Sequence, residues 1–136
     1  MKIYLDPHGT KPTRAHIHDA GLDLYAPGEY TIAPGMTLTI QTGVHVQLPE
    51  KTVGFIKSRS SMFKAGIITD GTIDEDYTGE IGVMLYNSTA NSYTIHKGDR
   101  IAQLVIVPIL RPALEIQDNP LESDSRGNNG FGSSGR

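Results

Sequence analysis

Between Gly71 and Gly79 the chain carries three carboxylates, Asp74, Glu75 and Asp76, and one phenol, Tyr77. A carboxylate whose neighbours limit its solvation can take a proton from water and turn that water on an electrophile. Asp74, directly after Ile73, has that setting; the plainer alternative is a carboxylate that caps backbone amides. Tyr77, three residues on, offers a ring face to a ligand or to a sheet surface. Most acidic clusters are solvated loops, but here Ile73 and Tyr77 interleave the acids. Ser58-Arg59-Ser60-Ser61 joins hydroxyls to a planar cation, a set that suits phosphate at the start of a helix. Gln103 is a lone amide in the apolar run from Ile101 to Val107. Buried without a partner it costs roughly 1–3 kcal/mol, so it either bonds across a sheet or holds a ligand. The segment from Arg126 to Gly135 combines a guanidinium, glycines whose amides can converge on an anion, and Phe131 as a stacking face.

These groups need rigid carriers, and alternation of apolar and polar residues supplies strands rather than helices. Ile3 and Leu5 mark a first strand. Met36, Leu38 and Ile40 mark another, and Val44, Val46 and Leu48 a further one after a turn at Gly43. Pro27-Gly28 and Pro34-Gly35 are turns. Ile81 to Tyr86 is a strand ended by Asn87-Ser88. Ile101 to Val107 is apolar on both faces except at Gln103, as in a strand deep in a domain or under a subunit interface. Asp70-Gly71, flanked by Ile67-Ile68 and Thr72-Ile73, predicts a hairpin whose second arm delivers Asp74 and Tyr77. One short helix is predicted near Met62-Ala65, capped by Ser60 or Ser61 and stopped by Gly66. The architecture is all-β, a barrel or jelly roll over residues 1–116. Residues 117–136, rich in Asn, Ser, Gly and Asp, read as a flexible C-terminal arm. Fully extended, the stretch from Arg111 to Arg126 spans about 50 Å, enough to reach a neighbouring subunit.

A chain of 136 residues is one domain by length, with room for a core. The net charge of −3 gives no basic face for a nucleic-acid polymer, although a few local cations suffice for one triphosphate. Cysteine is absent, which removes disulfides and thiolate metal sites and suits a reducing cytosol. The first residues turn polar too soon for a signal peptide, and no run has the length of a membrane span. A soluble, cytoplasmic protein is expected.

Ala20-Gly21-Leu22-Asp23-Leu24, Ser58-Arg59-Ser60-Ser61, the Gly71–Gly79 stretch, Gly98-Asp99-Arg100-Ile101-Ala102-Gln103-Leu104 and the Gly-Phe-Gly-Ser-Ser-Gly tail resemble, in this order, the five motifs of the trimeric dUTP pyrophosphatase (dUTPase) family. The resemblance covers the chain from about Asp19 to its end. It implies a distorted jelly roll of the dUTPase β-clip type that hydrolyses dUTP to dUMP and pyrophosphate, lowering dUTP and supplying dUMP for thymidylate synthesis. It makes Asp74 the general base for the water that attacks the α-phosphorus. Tyr77 packs on the sugar and, lying against C2′, excludes a 2′-hydroxyl. Main-chain groups of Asp70, Gly71, Thr72 and Ile73 read uracil, and Gly82 completes that edge. Ser60, Ser61 and Gln103 bind phosphates, and Arg59 contacts phosphate or holds the loop. Arg126 pairs with the γ-phosphate, Phe131 stacks on uracil for roughly 1–3 kcal/mol, and Gly132 and Ser133 donate to phosphates. Asp23, near a triphosphate, would repel it unless a cation intervened, which points to Mg²⁺ with Asp23 in its outer shell, through water. The resemblance further implies a homotrimer whose sites are shared: one subunit gives the Asp74 hairpin, a second the Asp23, Arg-Ser-Ser and Gln103 elements, a third the tail. Ser58 and Ser61 depart from the proline and glycine that many members carry there.

Two rival readings follow from the same fold. A dCTP deaminase resembles the Arg-Ser-Ser stretch, but its chemistry uses a glutamate where this chain has Val83-Met84-Leu85-Tyr86. A regulatory binding protein would use the nucleotide as a switch and the tail as the moving part; Asp74 and Arg126 argue against a catalytically dead module. His16 and His18 share a face of an extended segment and read as surface histidines.

Overall fold

The computed structural model describes residues 1–121. Along the chain run β1 (Lys2–Leu5), β2 (Gly21–Tyr25), β3 (Tyr30–Ile32), β4 (Thr37–Gln47), β5 (Thr52–Lys57), α1 (Ser60–Lys64), β6 (Ile67–Ile68), β7 (Asp70–Ile73), β8 (Glu80–Asn87), β9 (Tyr93–Ile95) and β10 (Arg100–Pro108). Period-two patterning builds the sheets. In β8, Ile81, Val83 and Leu85 are buried while Met84 and Tyr86 face out. The strands pair antiparallel in two four-stranded sheets, β1-β4-β8-β6 and β2-β10-β5-β7, with β3 and β9 as a separate ribbon. Their inner faces meet in one apolar core that includes Leu24, Ile40, Val44, Ile56, Val83, Ile101 and Leu104. Each such side chain contributes about 1.5–3 kcal/mol by leaving water. The fold is thus the expected all-β distorted jelly roll with one short helix. No helix among the described residues is long and apolar enough to cross a membrane.

The two-sided apolar run lies where it was expected. β10 sits between β2 and β5, with Ile101, Ala102 and Leu104 buried and Val105 to Val107 half-buried. The strands end at Pro108, and residues 109–121 carry neither helix nor strand.

Three local expectations are corrected. Asp70-Gly71 is not a hairpin turn. β6 joins β8 in one sheet, whereas β7 pairs with β5 in the other, Asp70 opposite Lys57 and Gly71 opposite Ile56. The chain changes sheets at Thr69, whose N–H donates to Ser58 Oγ at 2.8 Å while Ser58 Oγ donates to the Thr69 carbonyl at 3.0 Å. Second, Gly43 does not separate two strands. It is a bulge inside the single strand β4, at φ +68°, with Gly9 so close that a Cβ would lie 2.6 Å from the Gly9 Cα. Third, Ser60 and Ser61 open α1 instead of capping it. Arg59 is the N-cap and makes no side-chain capping bond, which leaves both hydroxyls uncommitted to the helix. Gly66, at φ +77°, follows the helix as expected.

Candidate active site

β2, β5, α1 and β10 gather four of the singled-out residues into one cleft. Asp23, Arg59, Ser60 and Gln103 line it together with Asp19 and Gly21, around a volume of about 290 Å³. Gly21 leaves room there for the Gln103 amide: a Cβ on it would come within 2.4 Å of Gln103 Oε1. Gln103 stands opposite Asp23 on β2 and Lys57 on β5, and its amide donates to the Ser58 carbonyl at 3.3 Å. The lone amide therefore has a backbone partner, and its Oε1 still borders the cleft.

Asp23 is buried, and both its oxygens are engaged. Arg59 Nε donates to one at 2.8 Å and Arg100 Nη1 to the other at 3.3 Å. The cations that offset this carboxylate are thus guanidinium groups of the same chain. A carboxylate has about four lone-pair directions, so two acceptor positions remain for water. That donor set fits an ion carried mainly by phosphates and reached through water, and does not fit an ion held by protein ligands alone. Ser61 lines an adjoining cleft with Met62, Tyr93, Asp99 and Arg100, and Arg59 borders both.

The second group lies elsewhere. Thr72, Ile73, Asp74, Tyr77, Glu80 and Gly82 line a cleft of about 250 Å³ that shares no residue with the first. Asp74 follows the end of β7 and is exposed in the single chain; its apolar neighbours do not shield it as the sequence suggested. Tyr77 curls back, its hydroxyl donating to the Glu80 carbonyl at 2.8 Å. Gly79 gives it room, since a Cβ there would lie 2.5 Å from the phenol ring. Asp70 and Gly71 are not part of this lining. The Asp70 carboxylate pairs with Lys57, which holds it below the usual carboxylate range.

The loop between β7 and β8 is tied at both ends. Glu75 accepts from the Lys51 N–H at 2.9 Å and pairs with Arg111 at 2.6 Å. The Arg111 guanidinium, with the Lys51 amide, keeps the Glu75 carboxyl below its ordinary value. At the other end, His45 Nδ1 lies 3.0 Å from the Thr78 carbonyl. The sequence reading missed both ties, because their partners come from distant elements and no local pattern marks them. Arg126, Phe131, Gly132 and Ser133 lie outside the described residues.

The dUTPase family model matches residues 8–135. The chain belongs to the dUTPase family. It is 41% identical to the deoxyuridine 5'-triphosphate nucleotidohydrolase of Clostridium tetani, over 100% of this chain and 97% of that protein. Its fold is similar to the Staphylococcus bacteriophage 80alpha dUTPase solved with dUpNHpp, at TM-score 0.92 and 32% identity over 99% and 98% of the two chains. It is also similar to a mutant dUTPase of the S. aureus phage phi11 that coordinates a structural Mg(II) ion, at TM-score 0.81 and 28% identity over 87% and 96%. As a dUTPase, the chain is a nucleotidohydrolase acting on dUTP. The deaminase reading gains no support from these likenesses, and β8 offers no carboxylate among Val83 to Tyr86.

Proposed function

We propose that the two clefts are halves of one active site, brought together when three copies of the chain assemble. The observation that carries this is the division itself. The Asp74–Tyr77 cleft and the Asp23–Arg59–Ser60–Gln103 cleft have no lining residue in common. A base and a sugar platform without a phosphate cradle cannot turn over a triphosphate. Exposed apolar side chains add support: Leu110, Leu114, Ile116 and Leu121 are each at least 85% exposed in the segment after β10, and such a row needs a covering surface.

In the assembled site, uracil lies along the backbone of Thr72 and Ile73 with Gly82 beside it, and the deoxyribose meets the Tyr77 ring. Asp70 and Gly71 open the same strand, paired with Lys57 and Ile56 of β5. Arg59, Ser60 and Gln103 of a neighbouring copy take the phosphates, with Ser61 set to one side. Water is the nucleophile. Asp74 takes its proton as the new bond to the α-phosphorus forms; the bond from that phosphorus to the α,β-bridging oxygen breaks, and pyrophosphate leaves with dUMP behind. Enclosure by the neighbour supplies the desolvation that Asp74 lacks in one chain. Mg²⁺ would supply charge neutralisation and phosphate alignment, and Asp23, its carboxylate fixed by Arg59 and Arg100, would hold it through water. The arm of residues 117–136, with Arg126, Phe131, Gly132 and Ser133, closes over the nucleotide from a third copy. Hydrolysis in the cytoplasm lowers dUTP and provides dUMP.

Pyrophosphate release from dUTP, dCTP, dTTP and UTP, with and without Mg²⁺, tests this reading. Release is expected from dUTP with Mg²⁺ far above the others. Equal release from UTP would remove the sugar role of Tyr77, and full activity in a chelator would remove the metal.

A further inference from the structure

His45, on β4, stands between two acceptors that cannot themselves donate. Its Nε2 lies 3.0 Å from Asp6 Oδ2, and its Nδ1 lies 3.0 Å from the Thr78 main-chain carbonyl. A neutral imidazole has one N–H and can satisfy only one of them. The pair is satisfied together only by an imidazolium with both nitrogens protonated. Thr78 follows Tyr77 directly and precedes Gly79, over which the Tyr77 ring lies. We propose that His45 is a positioning residue for dUTP turnover, its imidazolium tethering the Thr78 carbonyl to Asp6 and so setting the Tyr77 ring.

The surroundings favour the charged ring. Asp6 faces it from the segment after β1, and Glu80 from the start of β8. The Tyr4 ring of β1 stacks at 5.3 Å and a tilt of 59°. Glu80 Oε1 is itself engaged, 3.2 Å from His8 Nε2 and accepting the Gly43 N–H at 2.7 Å. The Asp6 hydrogen bond, then the Thr78 carbonyl, raise the His45 pKa above its ordinary 6.5. The tether is therefore in place below that pH and is released as pH rises through the raised value.

The inference rests on the sugar role proposed for Tyr77, and two readouts keep them apart. Amide hydrogen exchange at Tyr77, whose N–H donates to the Asp74 carbonyl at 3.1 Å, divided by the intrinsic rate at each pH, reports the tether. The ratio of kcat/KM for dUTP to that for UTP reports its consequence, and protonations common to both substrates cancel in it. In the parent, exchange should speed up and the ratio fall about tenfold, the effect of losing one charged hydrogen bond, across the same pH interval above 6.5. His45→Gln should show fast exchange and the low ratio at every pH; Asp6→Asn should move both inflections to lower pH. If His45→Gln keeps the parent's exchange and pH profile while only its unfolding midpoint drops, the proposal is overturned. If exchange follows His45 but the ratio never moves, and Tyr77→Ala leaves the ratio unchanged too, the sugar reading falls while the tether stands.

Discussion

At Gly79 a single methyl group would meet the Tyr77 ring at 2.5 Å. Gly79→Ala should leave the fold intact and displace the ring, lowering kcat/KM for dUTP by roughly tenfold to a hundredfold, the cost of a misplacement near 1 Å. UTP turnover should change less, so steady-state kinetics with both substrates checks the cause. Asp74→Asn keeps the shape of the loop and removes the proton acceptor. It should bind dUTP nearly as the parent does and lower turnover by several orders of magnitude, roughly the 10²–10⁴ that general-base catalysis contributes; turnover at the parent rate would contradict the assignment of the base. Asp74, Tyr77 and Gln103 stood out as candidates because each is an odd residue in its local pattern: an acid after an apolar strand, a ring among acids, an amide in an aliphatic run. His45 was not, since a histidine in an alternating strand looks like any outward side chain until Asp6 and Thr78 are placed beside it.

At the scale of elements, the carrier of the site is the β7–β8 loop and its ties. Glu75 is the acid-sensitive one. Its carboxyl sits below the ordinary 4.5 because Arg111 and the Lys51 amide hold the charged form. Its contribution to stability is complete above about that value and disappears as pH falls through the lowered one. His45 has the opposite sign: its contribution is full below 6.5 and fades as pH rises past its raised value. Unfolding midpoints measured from pH 3 to pH 9 should therefore lose part of the acid slope in Glu75→Gln and part of the alkaline slope in His45→Gln, each leaving the other slope alone. Asn87 anchors the far end of β8. It is fully buried, donates to the carbonyls of Ile32 and Asn91, and accepts from Thr89. Asn87→Ala should cost about 3 kcal/mol in denaturant unfolding through the orphaned partners. β1, β4, β8 and β10 were readable from the hydrophobic pattern, whereas β2, β3, β5 and β9 were not singled out and pairing was not readable. Asp70-Gly71 has the dipeptide of a hairpin turn, yet Ile67-Ile68 and Thr72-Ile73 are drawn to different sheets because each finds its apolar partners there. Gly43 looked like a stop for the same reason, whereas Ile40, Val44 and Val46 keep one inward phase across the bulge.

For the whole molecule, the account stands on a site that no single chain completes. The class of fold was legible throughout, from the absence of helical periodicity and the spacing of Gly and Pro turns. That the motif residues divide between two separate clefts was not, because sequence order says nothing about which cleft a strand end borders. Complementation between variants tests the division directly. Asp74→Asn removes the base from one half-site and leaves the other intact; Gln103→Ala with Ser60→Ala does the reverse. Each preparation alone should be nearly inactive, with unfolding midpoints near the parent's. Co-refolded in equal amounts, random mixing should regenerate intact pairs at about one quarter of all sites, the share set by two independent choices of subunit in a symmetric oligomer. Recovery of dUTP hydrolysis near a quarter of the parent rate is the predicted result. A mixture as inactive as its components, with mixed oligomers shown to have formed, would contradict it.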